Sequence, residues 1–260
     1  MVTWNNFIYF ALPTVLMAFA GAVCAIRSQQ RSRWAIILTI ISIAIFISFV
    51  SGMWVSLERP PLRTMGETRL WYSLFMLVSG LFTYIRWNYR WILSFSTLMA
   101  TVFIAINIFN PDIHDRTLMP ALQSIWFIPH VTVYMFSYSL LGVSFILAIY
   151  SLFKHQNSIF AVIDTLVYAG IAFFTVGMLT GAIWAKDAWG HYWSWDPKET
   201  WAFITWILYQ VYIHLRFMGR VNRKWLSIVL IFSFLSLQMC WYGVNYLPQV
   251  RKSIHTYNNN

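Results

Sequence analysis

Of the 260 residues, 59% are apolar, 19% aromatic and only 10% charged, where a soluble domain of this size carries about a quarter charged residues. The apolar residues fall in uninterrupted runs of roughly 20, the helical length that crosses about 30 Å of hydrocarbon, so a soluble fold is excluded. The net charge of +10 reports on membrane orientation and not on nucleic acid, and Cys24 and Cys240, each alone in an apolar run with no Cys-x-x-Cys, exclude a thiol oxidoreductase and a c-type cytochrome.

Eight apolar segments follow in chain order: Trp4–Ile26, Trp34–Leu57, Leu70–Ile85, Trp91–Phe109, His130–Phe153, Ile159–Ala185, Trp201–Phe217 and Trp225–Asn245. The third is short but is bounded by Arg69 and Arg86. The first lacks the basic leader and small-residue cleavage site of a signal peptide, and its apolar core is too long for one. Connections are brief, so the expected fold is all-α: one polytopic transmembrane domain of about eight helices over residues 1–260.

Loop charges set the expected topology. One set of connections holds Arg27, Arg31, Arg33, Arg86, Arg90, Lys154, Arg216, Arg220, Arg223 and Lys224 against a single acid, Asp164. The other holds Arg59, Arg63, Arg69, Arg116, Lys186, Lys198, Arg251 and Lys252 against seven acids. The first set is read as cytoplasmic, which puts both termini and the connection after the sixth segment outside.

That connection carries the most information. Between Trp184 and Trp206 lie six tryptophans in 23 residues. Asp196-Pro197-Lys198-Glu199 is a helix start: Asp196 caps free amides, Pro197 suits the first helical position, and Glu199 sits where a capping-box carboxylate belongs. Trp201 and Trp206 then project from the following helix, while Trp189, Trp193 and Trp195 are assigned to the loop. Scattered tryptophans would be an interfacial aromatic belt. Clustered beside Gly190 and a fixed Asp-Pro turn, they suit an aromatic platform for a flat apolar ligand, of which a porphyrin is the obvious example.

A haem iron needs axial ligands, commonly neutral imidazole. His130 and His255 fall on the same side as the tryptophan loop. On the residues alone each is either an interfacial polar group or a ligand. His214, near the cytoplasmic end of the seventh segment, is a functional candidate because titratable groups are costly inside a membrane; snorkelling beside Arg216 is the other reading. His191 lies in the loop itself, and His114 and His155 are read as plain loop residues. Lys186, Lys198, Arg59 and Arg63, with Arg251 and Lys252, are on the side where haem propionates would need cations.

The string Trp189-Gly-His-Tyr-Trp-Ser-Trp-Asp-Pro-Lys-Glu-Thr-Trp201 resembles the tryptophan-rich WWD signature of the haem-handling cytochrome c assembly superfamily. Its Trp-Asp-Pro-Lys-Glu ending looks like the CcsA (ResC) branch and not CcmC, and the length argues against CcmF. Leu122-Gln-Ser-Ile-Trp-Phe-Ile-Pro-His130 is similar to the stretch carrying that family's first external histidine. Gly243-Val-Asn-Tyr-Leu and Ser253-Ile-His255-Thr-Tyr257 resemble its C-terminal block, although residues 248–252 depart from the usual glycine-rich link. Tyr212-Ile-His214-Leu-Arg216 falls where the family keeps a histidine in a membrane helix.

The resemblance implies a haem-presenting subunit of a cytochrome c synthase. It would move haem b outward and hold its iron between His130 and His255, with the ring on a platform of Trp189, Gly190, Trp193, Trp195, Asp196 and Trp201. His214 would be half of a transit site completed by a CcsB (ResB)-like membrane partner. Apocytochrome c with its CxxCH motif would accept the haem, and no catalytic nucleophile is expected from this chain. The expected location is a bacterial cytoplasmic membrane, and a plastid thylakoid membrane fits the same pattern. A HemX-type haem-binding regulator and a solute transporter are the competing functions. The transporter lacks support because no pair of Gly/Pro-broken helices marks a midplane site.

Overall fold

The computed structural model describes residues 1–111, 114, 124–153 and 157–246. Among these the regular structure is all helix, without strands. Eight long helices follow one another: α1 (Phe7–Arg27), α2 (Arg33–Leu57), α3 (Met65–Trp87), α4 (Arg90–Phe109), α5 (Phe127–Phe153), α6 (Asn157–Trp189), α7 (Pro197–Met218) and α8 (Arg223–Trp241). All eight expected segments are therefore helices, and the protein is a polytopic membrane protein. By Cα proximity it divides into two compact units, Met1–Gln123 and Ser124–Asn260.

Six helices are long and apolar enough to cross a membrane by themselves. The exceptions, α3 and α7, have the length but carry charge: Glu67, Arg69 and Arg86 in one, Lys198, Glu199 and Arg216 in the other. Fourteen of the 23 residues of α3 are buried within its unit, Glu67 and Arg69 among them, while Arg86 is exposed in the last turn. Its ends differ from the sequence expectation. The helix starts five residues before Leu70 because Thr64 and Glu67 form a capping box, which places Arg69 inside the helix and not at its border.

In the first unit, α1 packs on α2 and α4, and α3 on α2 and α4. Phe7, Phe46, Phe49, Met53, Leu70 and Ile104 are buried together in the core. Close approaches are made by small residues, the usual solution where lipid gives no hydrophobic drive between helices: Ser42 Oγ donates to the Thr14 carbonyl at 2.7 Å, and a Cβ on Gly21 would lie 2.7 Å from Thr39. His114 stacks flat on Trp4, centroids 3.7 Å apart. The turn before α3 is organised by Glu67, 2% exposed. Its carboxylate takes two parallel hydrogen bonds from Arg59, at 2.9 and 3.0 Å, together with the amides of Arg63 and Thr64.

In the second unit, α5 packs on α6 and α8, and α7 on α6 and α8. Hydroxyl pairs join helices here: Ser151 with Ser227 at 2.7 Å and Thr205 with Ser236 at 2.9 Å. Two of the charges counted with the loops in the sequence lie inside facing helices. Asp164 is on α6 and Arg216 on α7, and they form an ion pair. The last predicted segment also ends early, at Trp241, followed by a 3-10 turn over Gly243–Tyr246.

Removing one partner of a buried charge pair costs about 3 kcal/mol or more, because the other is left uncompensated. Glu67→Ala, which strands Arg59 and two amides, should therefore lower the thermal midpoint of the detergent-solubilised protein well below that of Glu58→Ala, read by fluorescence-detected size exclusion after heating.

Candidate functional site

The site lies at the end of the second unit where α6 gives way to α7. Helix α6 runs through Trp189, so that indole belongs to the helix end and not, as the sequence suggested, to the loop. Gly190 stops it. Its φ is +85°, and a Cβ added there would meet nothing within 4 Å; this is the left-handed conformation that glycine enters without steric cost. Its amide returns to the Lys186 carbonyl at 3.0 Å, and the Lys186 ammonium donates to the Gly190 carbonyl at 2.7 Å.

At the far end of the loop the capping box forms as read from Asp196-Pro197-Lys198-Glu199. Asp196 accepts the Lys198 amide at 2.9 Å and Pro197 opens the helix. The Glu199 carboxylate does more than close the box. One oxygen accepts both amides that flank Trp195, from Ser194 at 2.7 Å and from Asp196 at 3.2 Å. Trp195 itself takes φ +58°, a conformation costing an ordinary residue about 1–2 kcal/mol. Charge-assisted hydrogen bonds on either side offset that cost. The indole is turned outward, 63% exposed, with Trp193 and Phe203 each edge-on at 5.7 Å. Phe203 stacks in turn towards Trp206, whose indole N–H donates to Thr175 on α6 at 3.0 Å.

A second aromatic group surrounds His130, in the first turns of α5. Its ring stacks on Trp184, centroids 5.4 Å apart, and meets Tyr134 at 4.7 Å; Trp184 also contacts Trp189 at 4.7 Å. His130 Nδ1 lies 2.8 Å from the Gly177 carbonyl. A carbonyl only accepts, so Nδ1 carries the proton, and in the neutral ring the lone pair is on Nε2. This is the tautomer of a metal-binding imidazole oriented by a backbone carbonyl. The contact exists because α6 has no side chain there: a Cβ on Gly181 would lie 2.6 Å from the His130 ring, and one on Gly177 2.6 Å from Tyr134.

The structure thus gathers His130, Trp189, Gly190, Trp193, Trp195 and Asp196 into one unit, with Trp201 half-buried one turn into α7. Lys186 and Lys198 border the same loop, the former 5.6 Å from the Tyr192 ring. His214 lies on α7 towards its other end, exposed, with Nδ1 donating to the Gln210 carbonyl at 3.0 Å. Arg59 and Arg63 belong to the first unit. Arg59 is engaged by Glu67; burial and the neighbouring Arg59 charge push the Arg63 guanidinium down, against the pull of Glu67. His255, Arg251 and Lys252 lie outside the described residues. Reasoning from sequence missed Tyr134, Thr175, Gly177, Gly181 and Phe203. Gly177, Gly181 and Trp184 recur at i, i+4 and i+7, a helix-face spacing that could have marked the side of α6 receiving α5.

Residues 62–251 match the family model for "Cytochrome C assembly protein". A "Cytochrome c biogenesis protein CcsA" from Chlamydomonas reinhardtii is 39% identical over 54% of this chain and 42% of its own length. The protein of the same name from Mesostigma viride is 37% identical, the match covering 58% of its length, so the chain spans about half of these two relatives. That from Guillardia theta is 30% identical over 82% of both chains, and that from Cyanophora paradoxa 29% identical over 98% of this chain and 95% of its own.

Overpacking a tight contact costs about 1–3 kcal/mol. Gly181→Ala, which drives a methyl into the His130 ring, should lower the thermal midpoint more than Gly190→Ala, where only the backbone conformation opposes the change; the same size-exclusion assay ranks the two.

Proposed function

The chain belongs to the cytochrome C assembly protein family, of the CcsA type, and from that premise we propose that it carries haem within the membrane and presents it for covalent attachment to apocytochrome c. The observation that carries the reading is His130: an imidazole in the Nδ1–H tautomer, oriented by the Gly177 carbonyl and packed on Trp184, at the same end of the unit as the tryptophan loop.

Haem is the cargo here. His130 would supply one axial ligand through Nε2, and His255 the other. Two imidazoles hold the iron without a resident metal cluster, and either can be displaced by the acceptor's own histidine. Trp189, Trp193, Trp195 and Trp201, with Gly190 and Asp196, would hold the ring. The exposed Trp195 indole suits a ligand that must be handed on, since a fully enclosed pocket would have to open first. Lys186 and Lys198 would meet propionates. His214 would ligate haem in transit, paired with a histidine from a CcsB-like membrane partner.

Thioether formation joins cysteine thiols of the acceptor to the vinyl groups of haem b, and no nucleophile from this chain enters it. The contribution is positioning, which lowers a barrier by as much as about 7–11 kcal/mol when two reactants are held together. The protein would act as one subunit of a cytochrome c synthase. The relatives from Chlamydomonas reinhardtii and Cyanophora paradoxa favour a thylakoid membrane over the bacterial cytoplasmic membrane, with the tryptophan loop and both termini on the side away from the basic loops.

The test is the visible spectrum of the purified full-length protein co-expressed with a CcsB-type partner, oxidised and reduced. The expected result is a six-coordinate low-spin haem that is lost or becomes high-spin in His130→Ala and His255→Ala, is restored by added imidazole, and is unaltered in His114→Ala. A protein without haem from haem-replete cells, or equal spectra for all three variants, would overturn the reading.

A further inference from the structure

The end of the second unit away from the tryptophan loop contains a polar clamp that the haem-presenting chemistry does not use. Asp164, on α6, is 15% exposed and Arg216, on α7, 30% exposed. The Arg216 guanidinium donates to both carboxylate oxygens, through Nε at 2.9 and 3.1 Å and through Nη2. The hydroxyl of Tyr212, one turn earlier on α7 and fully buried, donates to the same carboxylate at 2.6 Å. The guanidinium also lies 5.5 Å from the Phe160 ring of α6. One acid therefore grips α7 at two points, residues 212 and 216.

Those two positions define a line along α7. Successive residues turn by about 100°, so 212 and 216 are only about 40° apart, and residue 214 falls about 180° from the line midway between them. His214 is thus on the side of α7 diametrically opposite the clamp. It shares an outward stripe with Ile207 and Val211, 40% and 41% exposed, and Met218, 62% exposed. His214 is the titratable member of that stripe, with Gln210 half-buried one turn before it. A titratable group on the outward face of a membrane helix is costly, so its orientation needs a restraint. Nearer the loop, the hydrogen bond from Trp206 to Thr175 and that between Thr205 and Ser236 hold the inner face, but they lie more than two turns from His214. At the level of His214, the bonds to Asp164 are the polar contacts between α6 and α7 that oppose a roll of the helix, beside the packing of α7 on α8.

We propose that Asp164 is a positioning residue: through Arg216 and Tyr212 it fixes the rotation of α7 and keeps His214 on the outward face, where haem in transit is met. This rests on the transit role given to His214 above, but the geometric part is testable without haem. Asp164 touches neither the haem nor its iron.

The experiment uses the full chain with Cys24 and Cys240 replaced by serine, reconstituted in lipid nanodiscs, and a nitroxide on His214→Cys. Collision with dissolved oxygen reports how far that position faces lipid. The expected result is high oxygen accessibility, lowered at least twofold by Asp164→Asn and by Arg216→Gln, less by Tyr212→Phe, and retained in Asp164→Glu. A second nitroxide at Phe232→Cys, on the exposed face of α8, should not change. Unaltered accessibility at 214 would overturn the proposal, and so would parallel changes at 214 and 232, which would make Asp164 a residue of general stability. A separate haem readout on the chain with its native His214, purified with the partner, separates this from the transit reading. If Asp164→Asn rolls the helix but the haem spectrum matches that of wild type while His214→Ala also does, the positioning stands and the transit role falls.

Discussion

The organisation of the second unit depends on the close approach of α5 to α6 across Gly177 and Gly181. With no side chain at either position, the rings of Tyr134 and His130 lie directly on the α6 backbone. The approach brings a main-chain carbonyl within hydrogen-bonding distance of an imidazole. It thereby sets the imidazole's tautomer, and it stacks the ring on Trp184. Lipid supplies no hydrophobic force between helices, so such contacts must come from packing and hydrogen bonding. A histidine held by backbone geometry keeps its orientation whether or not anything is bound.

Three carboxylates in the two units are managed in the same way: each is held by several donors. Glu67 accepts from Arg59 and two amides before α3, Glu199 from the amides on either side of Trp195 before α7, and Asp164 from Arg216 and Tyr212. A single buried carboxylate would be prohibitive, but one with three or four donors is a structural pin. The Glu199 pin also explains why Trp195 adopts a backbone conformation normally left to glycine. The strain is local, it is held from both sides, and the indole it carries is exposed.

Much of this is legible in the residues. Hydrophobic runs mark all eight helices, because continuous apolar length is a strong signal with few alternatives. The start of α7 is legible because Asp-Pro-x-Glu specifies cap, first turn and box in four residues. The equivalent Thr64-x-x-Glu67 start of α3 is obscured because Arg69 looks like a segment boundary, and a buried arginine contradicts the rule that charges end membrane segments. Trp189 falls one element earlier than its tryptophan-rich surroundings suggest, although Gly190 after it is the residue that ends helices. The contact of His130 with Gly177 joins positions 47 apart, and nothing in a single sequence couples them. Asp164 and Arg216 read as loop charges for the same reason: their partnership across 52 residues exists only in three dimensions.

Helix α6 has 33 residues, so at 1.5 Å per residue it is about 50 Å long, some 20 Å more than the hydrocarbon thickness of a bilayer. Set upright it outreaches the acyl chains; Trp184 and Trp189 sit in its last two turns, and His130 of α5 packs against Gly181 and Trp184 just before them. The helix is therefore a mast. Even the bilayer with its headgroups, roughly 40–45 Å, is shorter than that length, and the height of the aromatic ledge is set by the helix rather than by the loop it carries.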